Sequence, residues 1–205
     1  MDSFWVPARF VEGMAKVTSQ AATDAGLLVT TECSLPPAAR QLAGMKVTRQ
    51  ILFAQTPGQF RVTTTLENTG EAEKAFSFRY ASMPAFLTLP KGGEGWAEVV
   101  GPAGPIRFTR KFIKTAYRLA AAPANPALDH WRMDATGQIS RPSVRLGCSW
   151  SSVTVEASVP EEQLYEIVFW DDGSQRCATL EWVFREVRLA PGASWQTHVD
   201  WRRVQ

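Results

Sequence analysis

The stretch FRVTTTLENTGEAEKAFSFRYASMPAF, residues 60–86, decides the fold class of this chain. Apolar and polar residues alternate over residues 60–67, and they alternate again over residues 75–80. Because successive side chains of a strand point to opposite faces, each run predicts a strand with one buried face. The linker of residues 68–74 contains turn-forming residues and no apolar run, so a β-hairpin is the simplest prediction for the whole stretch.

Further strand candidates recur along the chain with turn signals between them. They occupy residues 27–33, 47–53, 96–100, 106–112, 153–157, 164–170, 177–188 and 195–201. The Asp-Asp-Gly sequence at residues 171–173 predicts a hairpin turn between two of them. About ten strands with short connections predict a single domain over residues 1–205. We expect an all-β fold, a large antiparallel β-sandwich with few or no helices.

Two parts of the sequence lack a clear strand pattern. Residues 115–142 predict a long irregular segment, within which residues 117–122 are compatible with one helical turn. A helix over residues 11–22 is disfavoured because Gly13 interrupts it. Irregular segments of more than about 15 residues are uncommon in compact domains and are often functional, which makes residues 115–142 a place to look for ligand-binding groups.

Composition narrows the class of partner. The chain has 22 Lys and Arg against 20 Asp and Glu, which argues against a protein that binds nucleic acid by neutralising phosphates. The densest basic run, residues 107–118, is interpreted as the solvated face of a strand. The first residues lack the pattern of a signal peptide, and no apolar run has the length of a membrane span. We therefore expect a cytoplasmic location and no membrane partner.

The cysteines predict neither a disulfide framework nor a metal site. Cys33, Cys148 and Cys177 are widely spaced, and the sequence has no Cys-x-x-Cys motif or Cys/His cluster. Each lies in an apolar or β-like context, where a buried free thiol is the simplest interpretation. We expect a reducing compartment, no metal and no cofactor, with a single disulfide as the open alternative.

Ligand-binding candidates come from the histidines and the eight tryptophans. His130 and Trp131 lie in the sequence DHWRMD, where an imidazole can hydrogen-bond to a ligand while the indole stacks on it. The simpler alternative is that Trp131 anchors the segment to the core. Trp96 and Trp170, at strand ends, are the other candidates for stacking on a sugar ring. With only two histidines and no Gly-x-Ser-x-Gly motif, a serine triad is disfavoured.

Two short motifs suggest a family. The order strand, Asn-Thr-Gly, strand, Phe-x-Tyr-x-x-x-Pro-x-Phe over residues 60–86 resembles the middle of galactose mutarotase-like (aldose 1-epimerase-like) domains. The Leu180-Glu181 dipeptide and the Leu-Ala-Pro-Gly turn of residues 189–192 resemble the C-terminal part of the same superfamily. The resemblance spans roughly residues 47–204 and implies a divergent or shortened member with a supersandwich fold and a sugar-binding face.

The same resemblance bears on catalysis. Glu181 matches the position of the family's general base, whereas Met83 stands where the family has its catalytic histidine. A thioether neither donates nor accepts the proton that opening a sugar ring requires. The resemblance therefore implies a sugar-binding fold without the family's acid–base pair.

Three functions remain open at this point. The first is a non-catalytic or degenerate carbohydrate-binding domain whose binding residues are Arg79, Trp131, Trp170 and Glu181. The second is a sugar-active enzyme, mutarotase or lyase-like, that uses Glu181 with His130 as its catalytic residues. The third is a structural or protein-interaction module with exposed aromatic side chains. The expected partner is a carbohydrate and not a nucleic acid, and the oligomeric state is left open.

Overall fold

The computed structural model describes residues 15–35, 42–82, 94–109, 114–123, 125, 136–171 and 178–204. These residues form fourteen strands and no α-helix. In chain order the strands are β1 (Lys16–Thr23), β2 (Gly26–Ser34), β3 (Met45–Ala54), β4 (Gln59–Asn68), β5 (Lys74–Ser82), β6 (Gly95–Gly101), β7 (Gly104–Thr109), β8 (Lys114–Leu119), β9 (Thr136–Ile139), β10 (Ser143–Cys148), β11 (Ser151–Ser158), β12 (Leu164–Asp171), β13 (Ala178–Leu189) and β14 (Ser194–Arg203).

The strands form two sheets. The larger has nine strands in the order β1-β2-β3-β4-β14-β11-β10-β6-β7, and the smaller has five in the order β5-β13-β12-β8-β9. Adjacent strands such as β3 and β4 pair antiparallel, whereas β8 and β9 pair parallel. The fold is an all-β sandwich, which confirms the predicted fold class. The antiparallel pairing of β12 with β13 also confirms the predicted hairpin, whose turn lies outside the described residues.

The predicted hairpin between β4 and β5 is wrong. β4 lies between β3 and β14 in the nine-stranded sheet, while β5 is the edge of the five-stranded sheet and neighbours β13. The reason lies in Asn68, which is fully buried at the end of β4. Its side-chain amide donates to the carbonyls of Ala72 and Leu189, each at 2.9 Å, and so fixes the following segment in another direction. Alternation predicts a buried face correctly but does not identify the neighbouring strand.

The irregular segment predicted over residues 115–142 is also partly wrong, because it contains β8 and β9. β8 has no alternation to detect, since Thr115, Ala116 and Tyr117 are all buried. The helical turn considered for residues 117–122 fails for the same reason, because residues 117–119 belong to β8. Over residues 11–22 a helix was disfavoured, and residues 16–22 indeed belong to strand β1. All eight residues of β1 are exposed.

The chain divides into two compact units. The first unit contains residues 1–76 and 186–200, and the second unit contains residues 77–185 and 201–205. The prediction of a single domain over residues 1–205 stays a prediction. The first unit contains β1 to β4, and its buried apolar residues include Met45, Val62 and Leu66. Its Cys33 is a half-buried free thiol, and burial raises the pKa of this thiol although the charge of Arg49 opposes that effect.

In the second unit, strands of both sheets pack on each other through aromatic side chains. Phe108 of β7 stacks on Tyr117 of β8 with ring centroids 5.7 Å apart and meets Phe169 of β12 edge-on at 4.6 Å. Such pairs contribute about 1 kcal/mol each beyond the area that they bury. The face of the five-stranded sheet that carries Tyr117 and Phe169 is called the inner face below. Cys148, a buried free thiol, also belongs to this unit.

Candidate functional site

The candidate site lies on the opposite face of the five-stranded sheet, in the second unit. In the register of β12 and β13, Phe169 pairs with Leu180, whereas Val168 pairs with Glu181 and Trp170 pairs with Thr179. Since Phe169 points to the inner face and paired residues share a face, Glu181 points the other way. We call this second surface, which carries Thr179, Glu181, Val168 and Trp170, the outer face.

An ion pair between Arg79 and Glu181 is the central feature of the outer face. A guanidinium nitrogen (Nη2) of Arg79 contacts carboxylate oxygen Oε2 of Glu181, and the Thr179 hydroxyl donates to the other oxygen, Oε1, at 2.7 Å. The Glu181 side chain is only 12% exposed and that of Arg79 27% exposed. A carboxylate this shielded requires such partners, because removing a charge from water is costly unless another charge or hydrogen bonds compensate.

The position of Arg79 follows from the way β5 is fixed beside β13. The hydroxyl of Ser77 donates to the carbonyl of Phe184 at 2.7 Å, and that of Ser82 donates to the carbonyl of Leu180 at 3.1 Å. Phe78 stacks on Phe184 with ring centroids 5.7 Å apart. Because Phe78 thus packs against a β13 residue on the face opposite Glu181, its neighbour Arg79 emerges on the outer face.

An apolar floor lies next to the ion pair. Ala116, Tyr165, Val168 and Val183 form a buried cluster, and Ala122 packs against it. The backbone N–H of Asn125 lies within hydrogen-bonding distance of the Tyr165 hydroxyl, at 3.4 Å, so Ala122 and Asn125 border this part of the face. A few polar groups beside a buried apolar surface are typical of sites that bind small organic molecules.

Arg79, Trp170 and Glu181, named from the sequence as sugar-binding residues, lie within the described part of the chain. Arg79 and Glu181 are in contact, and Trp170, half-buried, is paired in register with Thr179, the residue that donates to Glu181. His130, Trp131 and Met83 lie outside the described residues, so the hypotheses that depend on them stay hypotheses. His198 lies in the other unit, half-buried, with Nε2 3.5 Å from Asp200.

The sequence analysis did not identify two residues of the outer face, Thr179 and Glu166. Thr179 lies two residues before Glu181 and therefore shares its face, a signal that the period of a strand does contain. Glu166 is fully buried on β12, opposite Arg118 of β8 in register. It was missed because its neighbours in sequence are apolar and it resembles an isolated charge in a core strand.

Trp96, one of the tryptophans considered as a sugar platform, has both ring faces covered. The guanidinium carbon of Arg107 lies 3.9 Å from the ring centroid. On the other side the indole lies on Gly147, where an added Cβ would come within 2.3 Å of Trp96 Cζ2. Trp96 therefore stabilises the nine-stranded sheet, and Trp170 is the better candidate for stacking among the described residues.

The chemistry that the described residues offer is hydrogen bonding and not metal binding. Within residues 15–35, 42–82, 94–109, 114–123, 125, 136–171 and 178–204, no three His, Cys, Asp or Glu side chains are arranged to hold a metal ion. The same residues include no helix of the length and hydropathy needed to cross a membrane. The outer face instead presents a donor, Arg79, and an acceptor, Glu181, side by side.

Comparison with known proteins identifies the fold. No family model and no curated protein sequence matches this chain. A protein from Synechocystis sp. PCC 6803 is similar in structure, with a TM-score of 0.58 and 12% identity over 92% of this chain and 65% of that one. A galactose mutarotase-like protein from Clostridium acetobutylicum gives a TM-score of 0.57 and 13% identity over 92% of this chain and 66% of that one. One from Lactobacillus casei gives 0.53 and 10% identity over 90% and 72%.

These structural similarities identify the fold, whereas the comparisons of sequence found no match. The chain has the fold of solved galactose mutarotase-like proteins, as the order of its motifs predicted. It spans slightly less than two thirds of the Synechocystis and Clostridium proteins, 65% and 66% of their lengths. Identities of 10–13% carry the fold alone, so any sugar-related activity of this chain is a proposal.

Proposed function

We propose that this protein is a carbohydrate-binding domain, non-catalytic or degenerate, which binds a sugar on the outer face of its five-stranded sheet. The observation that carries the proposal is the Arg79–Glu181 pair beside Trp170 and the apolar floor. A guanidinium and a carboxylate side by side donate to and accept from neighbouring hydroxyl groups, and an indole packs against the C–H face of a pyranose ring.

The geometry of Glu181 supports binding in preference to acid–base catalysis. A general base that opens a sugar ring takes a proton from a hydroxyl group, and a partner acid must supply one to the ring oxygen. The position of the family's histidine is Met83, so Glu181 lacks the family's partner acid. Each oxygen of Glu181, by contrast, has a second lone pair beside its contact with Thr179 or Arg79 and can accept from a sugar hydroxyl. The alternative hypothesis is an enzyme that uses Glu181 with His130. The sugar titration described next tests binding only and does not depend on catalysis.

Titration with simple sugars tests the proposal. We expect chemical-shift changes or heat on adding hexoses or uronic-acid oligomers at millimolar concentration, and we expect Trp170→Ala to weaken binding about tenfold, since one stacked ring contributes about 1–2 kcal/mol. Trp150→Ala is the matched control, because Trp150 is exposed in the turn between β10 and β11.

Absence of any binding at millimolar sugar would refute the proposal. Equal losses in Trp170→Ala and Trp150→Ala would refute its placement on the outer face.

A further inference from the structure

A row of alternating charges crosses the exposed face of the nine-stranded sheet, in the second unit. Cross-strand register aligns Arg107 with Glu98, Glu98 with Arg145, and Arg145 with Glu156. Arg202 of β14 contacts the far side of Glu156, with Nη2 2.6 Å from Oε1. We call these five residues the arginine ladder. It lies on a different sheet from Arg79 and Glu181, and the proposed sugar site does not involve it.

The ladder is layered as well as alternating. The side chains of Arg107, Arg145 and Arg202 are 55%, 55% and 58% exposed, whereas those of Glu98 and Glu156 are 16% and 12% exposed. Arg107 Nε donates to Glu98 Oε2 at 3.0 Å, and Arg145 Nε donates to Glu156 Oε2 at 3.0 Å. The more buried carboxylates therefore fix the positions of the guanidinium groups, and the three guanidinium groups are exposed to solvent.

The spacing of the three arginines is set by the sheet. Arg107, Arg145 and Arg202 lie on β7, β10 and β14, and one strand separates each from the next. Since neighbouring strands are about 4.8 Å apart, consecutive arginines are about 10 Å apart in a straight row across the strands. A guanidinium has five N–H donors in a planar fork, and the bonds described use only part of them.

We propose that the arginine ladder binds a linear acidic polysaccharide that carries a carboxylate on every second sugar. The anionic groups of such an extended chain recur at a distance comparable to the spacing of the arginines, so each carboxylate meets one guanidinium. The intervening neutral sugars lie above Glu98 and Glu156, whose oxygens accept hydrogen bonds from hydroxyl groups.

The composition of the ladder favours this partner over other polyanions. Three arginines and two glutamates leave a net charge of +1 on the row, which is too little to hold a nucleic acid whose every unit is charged. An acidic peptide lying across the strands finds no open sheet edge there, so its own backbone groups would lose water without pairing. Sugar hydroxyls both donate and accept, which suits alternating cations and carboxylates.

Fluorescence anisotropy with a labelled hyaluronan decasaccharide tests the ladder directly. We expect binding that weakens as salt is added and about a tenfold loss in Arg145→Gln, the central position, whereas any binding of a neutral dextran of similar length, which the outer-face site can take up, should be equal in wild type and Arg145→Gln. Arg61→Gln is the matched control, because Arg61 is also an exposed, ion-paired strand arginine, bonded to Asp200 at 2.6 and 2.8 Å in the other unit. Arg145→Lys, which keeps the charge but not the fork, should lie between wild type and Arg145→Gln.

Equal affinity of wild type and Arg145→Gln would overturn the proposal, as would an equal loss in Arg61→Gln. Tighter binding of single-stranded DNA or polyglutamate of matched charge would overturn the choice of a polysaccharide. The same tenfold loss in Arg145→Gln is expected when both proteins also carry Glu181→Gln, which disables the outer-face site, so this test is separated from that of the outer-face site.

Discussion

At the scale of single residues, Asn68 explains why two separated motifs occur together. Its backbone N–H donates to the carbonyl of Ala193 at 2.9 Å, and its carbonyl accepts from Gly192 N–H at 2.8 Å. Its side chain reaches Leu189 and accepts from Gly70 N–H at 3.1 Å. The Asn-Thr-Gly turn and the Leu-Ala-Pro-Gly turn are therefore in contact, although 121 positions separate Asn68 from Leu189 along the chain. A buried amide with several fixed partners tolerates few replacements.

Asn68→Ala is expected to destabilise the protein by about 2–4 kcal/mol, because it leaves buried carbonyls and an N–H without partners. The free energy of unfolding in urea measures the effect. Gln55→Ala is the control, since Gln55 is an exposed amide with one side-chain bond, to the carbonyl of Asp24 at 2.9 Å, and its loss should cost less than about 1 kcal/mol. Similar losses in the two variants would contradict the role assigned to Asn68.

At the scale of strands, what could be predicted depended on how many faces a strand buries. β4 and β14 were predicted because polar and buried residues alternate along them. β8 was not, because burial of Thr115, Ala116 and Tyr117 removes the alternation. The partner of β5 was predicted wrongly, since register with β13 depends on contacts between residues far apart in sequence. The Arg79–Glu181 contact, which joins β5 and β13, was not predicted, because the sequence named the two only as separate candidates for binding a sugar.

The contacts between β10, β11 and β14 also make stability depend on pH. Burial raises the pKa of Glu156, but hydrogen bonds from Arg145 and Arg202 outweigh it, so the pKa lies below its ordinary value. A carboxyl with a depressed pKa in the folded state stabilises the fold above its unfolded pKa and loses that contribution as pH falls through the folded pKa. Wild type should therefore lose stability on acidification in part through this group.

Glu156→Gln is expected to reduce the loss of unfolding free energy between about pH 5 and about pH 3. Urea unfolding at several pH values measures it, and Glu162→Gln, at an exposed turn residue, is the control. A pH dependence unchanged by Glu156→Gln, or changed equally by Glu162→Gln, would show that the ion pairs of Glu156 contribute nothing.

At the scale of the whole molecule, the fold was predictable and the site only in part. Ten alternating or β-branched runs without a long amphipathic helix leave few alternatives to a sandwich, and solved galactose mutarotase-like structures share that fold. The site required more, because only the register of β8, β12 and β13 places Thr179 and Glu166 on the outer face. Fold likeness at these identities does not determine function, so the proposed site on the outer face has to be tested residue by residue.

The most direct test of the account is a sugar titration of Glu181→Gln beside Asp200→Asn. Both substitutions replace an ion-paired carboxylate by an amide of the same shape, but Asp200 lies in the other unit, paired with Arg61. The account predicts that Glu181→Gln loses at least about tenfold in sugar affinity while it stays folded by circular dichroism, and that Asp200→Asn binds like wild type. Wild-type affinity in Glu181→Gln would contradict the assignment of the outer face as the sugar-binding site.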